Sequence, residues 1–256
     1  VTDQDQYGWF VPLAANDGMP LYGFPHAGAG CTQLAGLARA GEKAGISLWS
    51  ANLPGRQGRL SEPPITVFEP LVDALAQALI ERVDDRPYAM FGYCAGALLA
   101  YGVLQGLALR GAAMPSRFVV VSYDAPDIAR RPRRMAHLPR EELWARLRDD
   151  GGVPESLAGD ARLRQVAEPA VRADFAVLAG YRHRPAPPLP VPITVYFGTD
   201  DPDVERGALL GWRRHSSESV DLRAVPGGHW LVDDAPDELA GAVAAVPADA
   251  SAGRPA

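Results

Sequence analysis

Apolar residues in this chain fall in short continuous runs that alternate with stretches where they recur every three or four positions, the pattern of strands alternating with helices. Residues 20–25 read as a strand that runs into the glycine-rich turn His26-Ala27-Gly28-Ala29-Gly30. Residues 46–53 form a second strand, closed by Pro54-Gly55. The spacing of Leu71, Leu75, Ala78 and Leu79 predicts a helix over 68–83. A third strand, 88–92, ends just before Cys94, and a helix carrying Leu98, Leu99, Val103 and Leu107 follows over 95–109. The uninterrupted apolar runs 118–122 and 193–197 suit strands covered on both faces. A weaker strand, 221–225, leads into Gly227-Gly228-His229. Strand, helix and strand in this order imply right-handed crossovers and a mostly parallel sheet, an α/β fold.

One region breaks the alternation. Residues 126–189 hold helical patterns at 141–148 and 169–181, separated by Asp150-Gly151-Gly152-Val153-Pro154, and no convincing strand. An insertion there sits at the carboxyl edge of the sheet, where open α/β folds bind ligands, so it reads as a lid, with separate packing helices as the plain alternative. The expected organisation is one domain over 1–246, followed by a frayed Ala-, Gly-, Pro- and Ser-containing tail over 247–256.

At 256 residues, 47% hydrophobic and 22% charged, the composition is that of a globular domain. The net charge of −6 argues against a general nucleic-acid partner. No apolar run reaches the roughly 18 residues of a membrane span, and Val1 to Asp17 lacks a basic start followed by an apolar stretch. A cytoplasmic protein with no membrane partner is expected. Two cysteines, Cys31 and Cys94, make no disulfide framework, and no cluster of metal ligands or dinucleotide fingerprint appears, so neither a metal nor a cofactor is expected.

The sharpest chemical signal is Gly92-Tyr93-Cys94-Ala95-Gly96, a Gly-x-nucleophile-x-Gly pattern between a strand and a helix. Both glycines have a steric reason, because side chains beside so tight a turn would strike neighbouring backbone. The turn lifts Cys94 to a helix N-terminus, where the dipole favours a thiolate, and aims the Ala95 N–H at a developing oxyanion. The bland alternative is a buried structural cysteine. Cys31 lacks glycines at the right offsets and is assigned that structural role.

A nucleophilic cysteine needs a base. His137, His183 and His215 lie in polar stretches and read as surface residues, whereas His229 follows the last strand. An acid is then required between Cys94 and His229 at a strand end. Gly198-Thr199-Asp200-Asp201-Pro202 supplies two; Asp201 is favoured, and Asp200 stays open. The turn after the first long strand is the place for a second oxyanion donor, with the Ala27 N–H as candidate. His26 is expected to hydrogen-bond backbone and shape that loop rather than act on substrate.

In combination, Phe24-Pro25-His26-Ala27-Gly28, Leu53-Pro54-Gly55-Arg56, the Cys94 elbow, Gly152-x-Pro154, Arg172-Ala173-Asp174-Phe175 and Gly227-Gly228-His229 resemble the type II thioesterases, stand-alone enzymes of polyketide synthase and nonribosomal peptide synthetase pathways in antibiotic biosynthesis. The resemblance spans about Leu21 to Ala245. It implies an α/β-hydrolase fold with a helical lid, and a small-molecule acyl group delivered as a thioester on the phosphopantetheine of an acyl or peptidyl carrier protein.

The chain departs from that family at its nucleophile, which is normally serine. A serine makes an oxygen ester and commits the acyl group to hydrolysis. Cys94 would make another thioester, of similar energy to the donor, so an acyl or aminoacyl group could pass to water or to a second carrier. Thioester hydrolysis is the leading expectation and acyl transfer between carriers the close alternative. A Gly-x-Cys-x-Gly elbow also occurs in dienelactone hydrolases, and a non-catalytic carrier-binding protein is the reading from a different class. The arginines Arg130, Arg131, Arg133 and Arg134 could meet an acidic carrier surface, or form a solvated loop.

Overall fold

The computed structural model describes residues 8–129 and 134–245. The tail and three of the four clustered arginines, Arg130, Arg131 and Arg133, lie outside the described residues.

Strands β1 (Phe10–Pro12), β2 (Met19–Phe24), β3 (Ile46–Ala51), β4 (Ala89–Tyr93), β5 (Arg117–Val121), β6 (Ile193–Gly198) and β7 (Val220–Val225) form one seven-stranded sheet in the order β1-β3-β2-β4-β5-β6-β7. Every neighbouring pair is parallel except β1 with β3. The short β1, which sequence patterning misses, pairs antiparallel on the edge and covers β3. Three residues are too few to show a period.

Alternate side chains of each strand enter different cores, as a pleated strand requires. Tyr22, Phe24, Met90, Phe118 and Val120 join α2 (Phe68–Arg82) and α3 (Ala95–Leu109) on one face. Leu21, Phe91, Val119 and Val121 join α1 (Ala35–Lys43) and α9 (Pro236–Ala244) on the other. Helix α3 is buried on nearly all sides, which its Ala- and Leu-rich sequence permits. Helix α1 went unrecognised in the sequence because its apolar positions are mostly alanine and glycine.

Between β5 and β6 lie α4 (Arg140–Asp149), α5 (Glu155–Ala158) and α6 (Ala161–Gly180), and no strand among the described residues. Leu143, Trp144, Leu147 and Val171 form their own small core. The helix expected to begin at Pro169 starts earlier, at Ala161, and passes through the proline. Proline suits a first helical turn, which suggested a start there. The start is instead set by Asp160, whose carboxylate accepts the backbone N–H of Arg162 and Leu163 at 2.7 and 3.2 Å. Short α7 (Arg206–Leu209) and α8 (Leu231–Asp234) complete the fold. Among the described residues no helix is long and apolar enough to cross a membrane.

Candidate active site

Register decides which loops meet. Phe24 at the end of β2 pairs with Gly92 of β4, and Gly198 at the end of β6 pairs with Val225 at the end of β7. The turns that follow β2, β4, β5, β6 and β7 therefore emerge together at the carboxyl edge of the sheet.

Cys94 joins β4 to α3 in a strained turn, with φ 50° and ψ −127°. Its N–H is held by the Val121 carbonyl at 2.8 Å. A Cβ on Gly92 would overlap the backbone of Ala97, and one on Gly96 would overlap the carbonyl oxygens of Phe24 and Pro25, so both flanking positions exclude side chains. The elbow presses directly against the loop after β2. Cys94 is half-buried and Ala95 opens α3, where the first N–H groups have no partner inside the helix.

His229 Nδ1 lies 2.9 Å from Asp201 Oδ2. The Asp201 side chain is fully buried, and its other oxygen accepts the Asp203 N–H at 2.9 Å. With Nδ1 engaged, the ring's hydrogen bond to Cys94 falls to Nε2. Burial depresses the His229 pKa, but the bonds to Asp201 and Cys94 outweigh it and push it up to about 10. Burial raises the Asp201 pKa, and the His229 bond reverses that to a net lowering. Asp200, the alternative acid, is exposed; its carboxylate accepts from the Thr199 hydroxyl at 3.2 Å.

Ser122, which sequence reasoning passed over, ties this group together. It follows β5 with φ 52°, is 1% exposed, and shares its hydroxyl between the His229 carbonyl, 3.1 Å away, and the Asp201 carboxylate. A polar residue closing an apolar run at the carboxyl edge was the available signal.

Ala27 and Ala95 line one cavity of about 260 Å³ together with Cys94 and His229. His26 is buried, with Nδ1 3.0 Å from the Ala27 carbonyl. Burial lowers its pKa to about 4, which favours the neutral ring. Its ring packs edge-on against Tyr93 and Trp230. Cys31 is buried elsewhere, and its thiol donates to Gln57 Oε1 at 2.9 Å.

The insertion between β5 and β6 supplies the opposite wall of the cavity through Leu147, Gly152, Phe175 and Leu178. Trp230, beside His229, donates its indole N–H to the Asp150 carbonyl at 3.0 Å. Behind the loop after β2, Asp174 of α6 accepts the Gly28 N–H at 2.7 Å and forms a buried two-point ion pair with Arg56. The Arg56 and Asp174 motifs thus meet at the site, which their sequence separation concealed.

One histidine expected at the surface is not there. His215 is 6% exposed, with Nδ1 2.9 Å from the Tyr101 hydroxyl and Nε2 2.9 Å from Asp127 Oδ1. Its Arg and Ser neighbours in sequence suggested solvent, but two polar partners satisfy both ring nitrogens inside. Burial lowers its pKa in spite of Asp127. His183 is half-buried and 3.2 Å from the Tyr181 hydroxyl, while His137 and Arg134 are exposed. Among the described residues, Asp201, Asp203 and His229 bring potential metal-ligand atoms within 4.8 Å of one another, but the His229 Nδ1 is already engaged by Asp201.

The family model described as a thioesterase domain matches residues 19–246. AMB antimetabolite synthetase AmbE of Pseudomonas aeruginosa is 36% identical over 77% of this chain, which spans only 9% of that protein's length. Thioesterase PikA5 of Streptomyces venezuelae is 30% identical, covering 86% of this chain and 78% of its own. Among solved structures, the type II thioesterase BorB from the borrelidin biosynthetic cluster superposes with a TM-score of 0.83 at 31% identity, covering 92% of this chain and 96% of its own.

Proposed function

This chain belongs to the thioesterase family, and on that premise we propose that it cleaves acyl or aminoacyl groups from the phosphopantetheine arm of a carrier protein through a Cys94 acyl-enzyme. The observation that carries the reading is that Cys94 and His229 line one cavity with Ala27 and Ala95, while buried Asp201 holds His229 from behind.

The chemistry follows from this arrangement. Cys94 gives its thiol proton to His229, to which it is hydrogen-bonded, and its sulfur attacks the thioester carbonyl carbon. The carbonyl oxygen takes the negative charge and is met by the Ala27 and Ala95 N–H groups, each donor contributing about 3 kcal/mol at the transition state. The carbon–sulfur bond to pantetheine breaks, and His229 returns a proton to the departing thiolate. His229 next takes a proton from water, whose oxygen attacks the acyl-Cys94 carbon. Collapse releases the carboxylic acid and restores the Cys94–His229 pair. Asp201 holds the ring in the tautomer with Nε2 toward sulfur throughout. No cofactor enters any step.

Helices α4 to α6 act in this reading as a lid over the acyl group, since Leu147, Phe175 and Leu178 face the cavity. The partner is an acyl or peptidyl carrier protein of a polyketide or nonribosomal peptide pathway, a reading supported by the solved structure of YbtT, a type II thioesterase from the Yersiniabactin NRPS/PKS biosynthetic pathway.

Cysteine at position 94 favours a second reading, acyl transfer, in which a second pantetheine thiol takes the place of water. Intact-protein mass spectrometry of an acylated carrier mixed with this chain, with and without an unloaded carrier, separates the two. Release of free acid regardless of the acceptor supports hydrolysis. Movement of the acyl group to the acceptor faster than to water supports transfer. A Cys94 that never gains acyl mass overturns both.

A further inference from the structure

The loop after β2 has no ladder to hold it, yet the proposed chemistry requires one of its N–H groups to be aimed within fractions of an ångström. Its support comes from outside. Asp174 Oδ2 accepts the Gly28 N–H at 2.7 Å and Arg56 Nη1 at 2.7 Å, while Oδ1 accepts Arg56 Nη2 at 2.6 Å. Arg56 Nη1 also donates to the Ala29 carbonyl at 2.8 Å. One ion pair therefore grips the backbone on either side of the Gly28–Ala29 peptide. Gly28 itself has φ +84°, a left-handed geometry that positions the N–H toward α6.

The rest of the loop is pinned from the same neighbour. Gln57 Oε1 accepts the Cys31 N–H at 2.8 Å, so residues 56 and 57 hold two successive parts of the turn. Ala27, Ala95, Arg56 and Asp174 border a common small cavity, which places the ion pair directly behind the two proposed oxyanion donors.

A pair this deeply buried, with side chains only 10% exposed, is a poor device for stability alone, because apolar replacements of similar shape serve as well or better. Its value lies in geometry: the fork of Arg56 and the carboxylate of Asp174 hold fixed positions, and they transmit those positions to the loop. Asp174 also sits on the same helix as Phe175 and Leu178, which face the acyl cavity. We infer that Asp174, clamped by Arg56, is the positioning residue of the oxyanion loop, so that the insertion helix carrying the acyl-pocket wall also sets the aim of the Ala27 N–H. The inference rests on the reading of Cys94 as nucleophile and Ala27 as oxyanion donor.

The test separates oxyanion stabilisation from nucleophile reactivity. Acylation of Cys94 by an acyl-pantetheine thioester needs the oxyanion donors. Alkylation of Cys94 by iodoacetamide has no oxyanion and does not need them. For Asp174→Ala, single-turnover acylation should slow by about 10²–10³-fold, the cost of losing one such donor, while alkylation stays within about threefold. KM should move little. Asp174→Asn keeps an acceptor for Gly28 but loses the charge that holds Arg56; it should slow acylation by about tenfold or more with alkylation unchanged. The isosteric Asn variant carries the test if the Ala variant does not fold. Acylation at the wild-type rate in either folded variant, or acylation and alkylation falling in parallel, overturns the positioning role. A wild-type Cys94 that alkylates but never acylates overturns the parent reading instead, and the inference with it.

Discussion

Gly198, the last residue of β6, lies so close to Gly228 that a Cβ at position 198 would overlap the carbonyl oxygens of Gly227 and Gly228. This contact lets the turn after β7 fold down onto the end of β6, and it leaves His229 Nδ1 2.9 Å from Asp201 Oδ2. Two residues that are 28 positions apart thus become one acid–base unit through backbone proximity, before any side chain is considered. Gly198→Ala should push that turn away. A loss of about 2–4 kcal/mol in urea unfolding is expected, accompanied by a fall in kcat.

Asp201 and Asp200 separate cleanly by substitution. Asp201→Asn leaves the fold intact but removes the charge opposite His229 and permits the wrong tautomer; kcat should fall by about 10²–10⁴-fold. Asp200→Asn, at an exposed position, should stay within about twofold of wild type. Steady-state hydrolysis of one acyl-pantetheine thioester measures both.

The Asp201–His229 pair also predicts how stability depends on pH. The His229 pKa is raised from 6.5 to about 10, so its contribution is fully present below 6.5 and disappears as pH rises toward 10. The Asp201 pKa is lowered from 3.8, so its contribution is present above 3.8 and is lost as pH falls through the lower folded value. The difference in urea midpoint between wild type and Asp201→Asn should therefore be largest between pH 3.8 and 6.5 and shrink toward pH 10. A difference that grew with pH would contradict the pairing.

Cys94→Ser probes what the thiol is for. Attack by serine would form an oxygen ester with a poor leaving group, so hydrolysis can continue while return to a second thiol becomes difficult. The ratio of carrier-to-carrier transfer to hydrolysis should fall by about tenfold or more, read by mass spectrometry of both carriers. Cys94→Ala should abolish acyl-enzyme and lower turnover by about 10⁴–10⁶-fold.

His215 offers a contrast away from the cavity. Replacing it with alanine removes one of the two partners of the buried Tyr101 hydroxyl and one partner of Asp127, at a cost of about 1–3 kcal/mol in unfolding free energy. Because His215 does not line the cavity with Cys94, kcat should be unchanged at temperatures where the protein is folded.

Much of this protein is determined locally and could be read from residue order. Strands β2, β4, β5 and β6 are apolar runs, and helix α3 starts directly after Cys94, in a turn whose flanking glycines are needed because side chains there would overlap neighbouring backbone. The Gly-x-Cys-x-Gly spacing, the acid-bearing turn after β6 and the histidine after β7 follow from chain order alone, since a parallel sheet brings successive strand ends to one edge. What depends on long-range packing was not legible. Residue order favours Asp201 over Asp200 but leaves the choice open, and side-chain direction at a tight turn decides it. The hydrogen bonds of Ser122 to His229, of His215 to Tyr101 and Asp127, and of Arg56 to Asp174 join groups that are 88 to 118 positions apart, and each is buried only because its partner arrives from another element. Residue order thus determined which chemical groups reach the carboxyl edge of the sheet. The tertiary structure alone decided which of them meet, because burying a polar group is affordable only where a partner from elsewhere in the chain satisfies it.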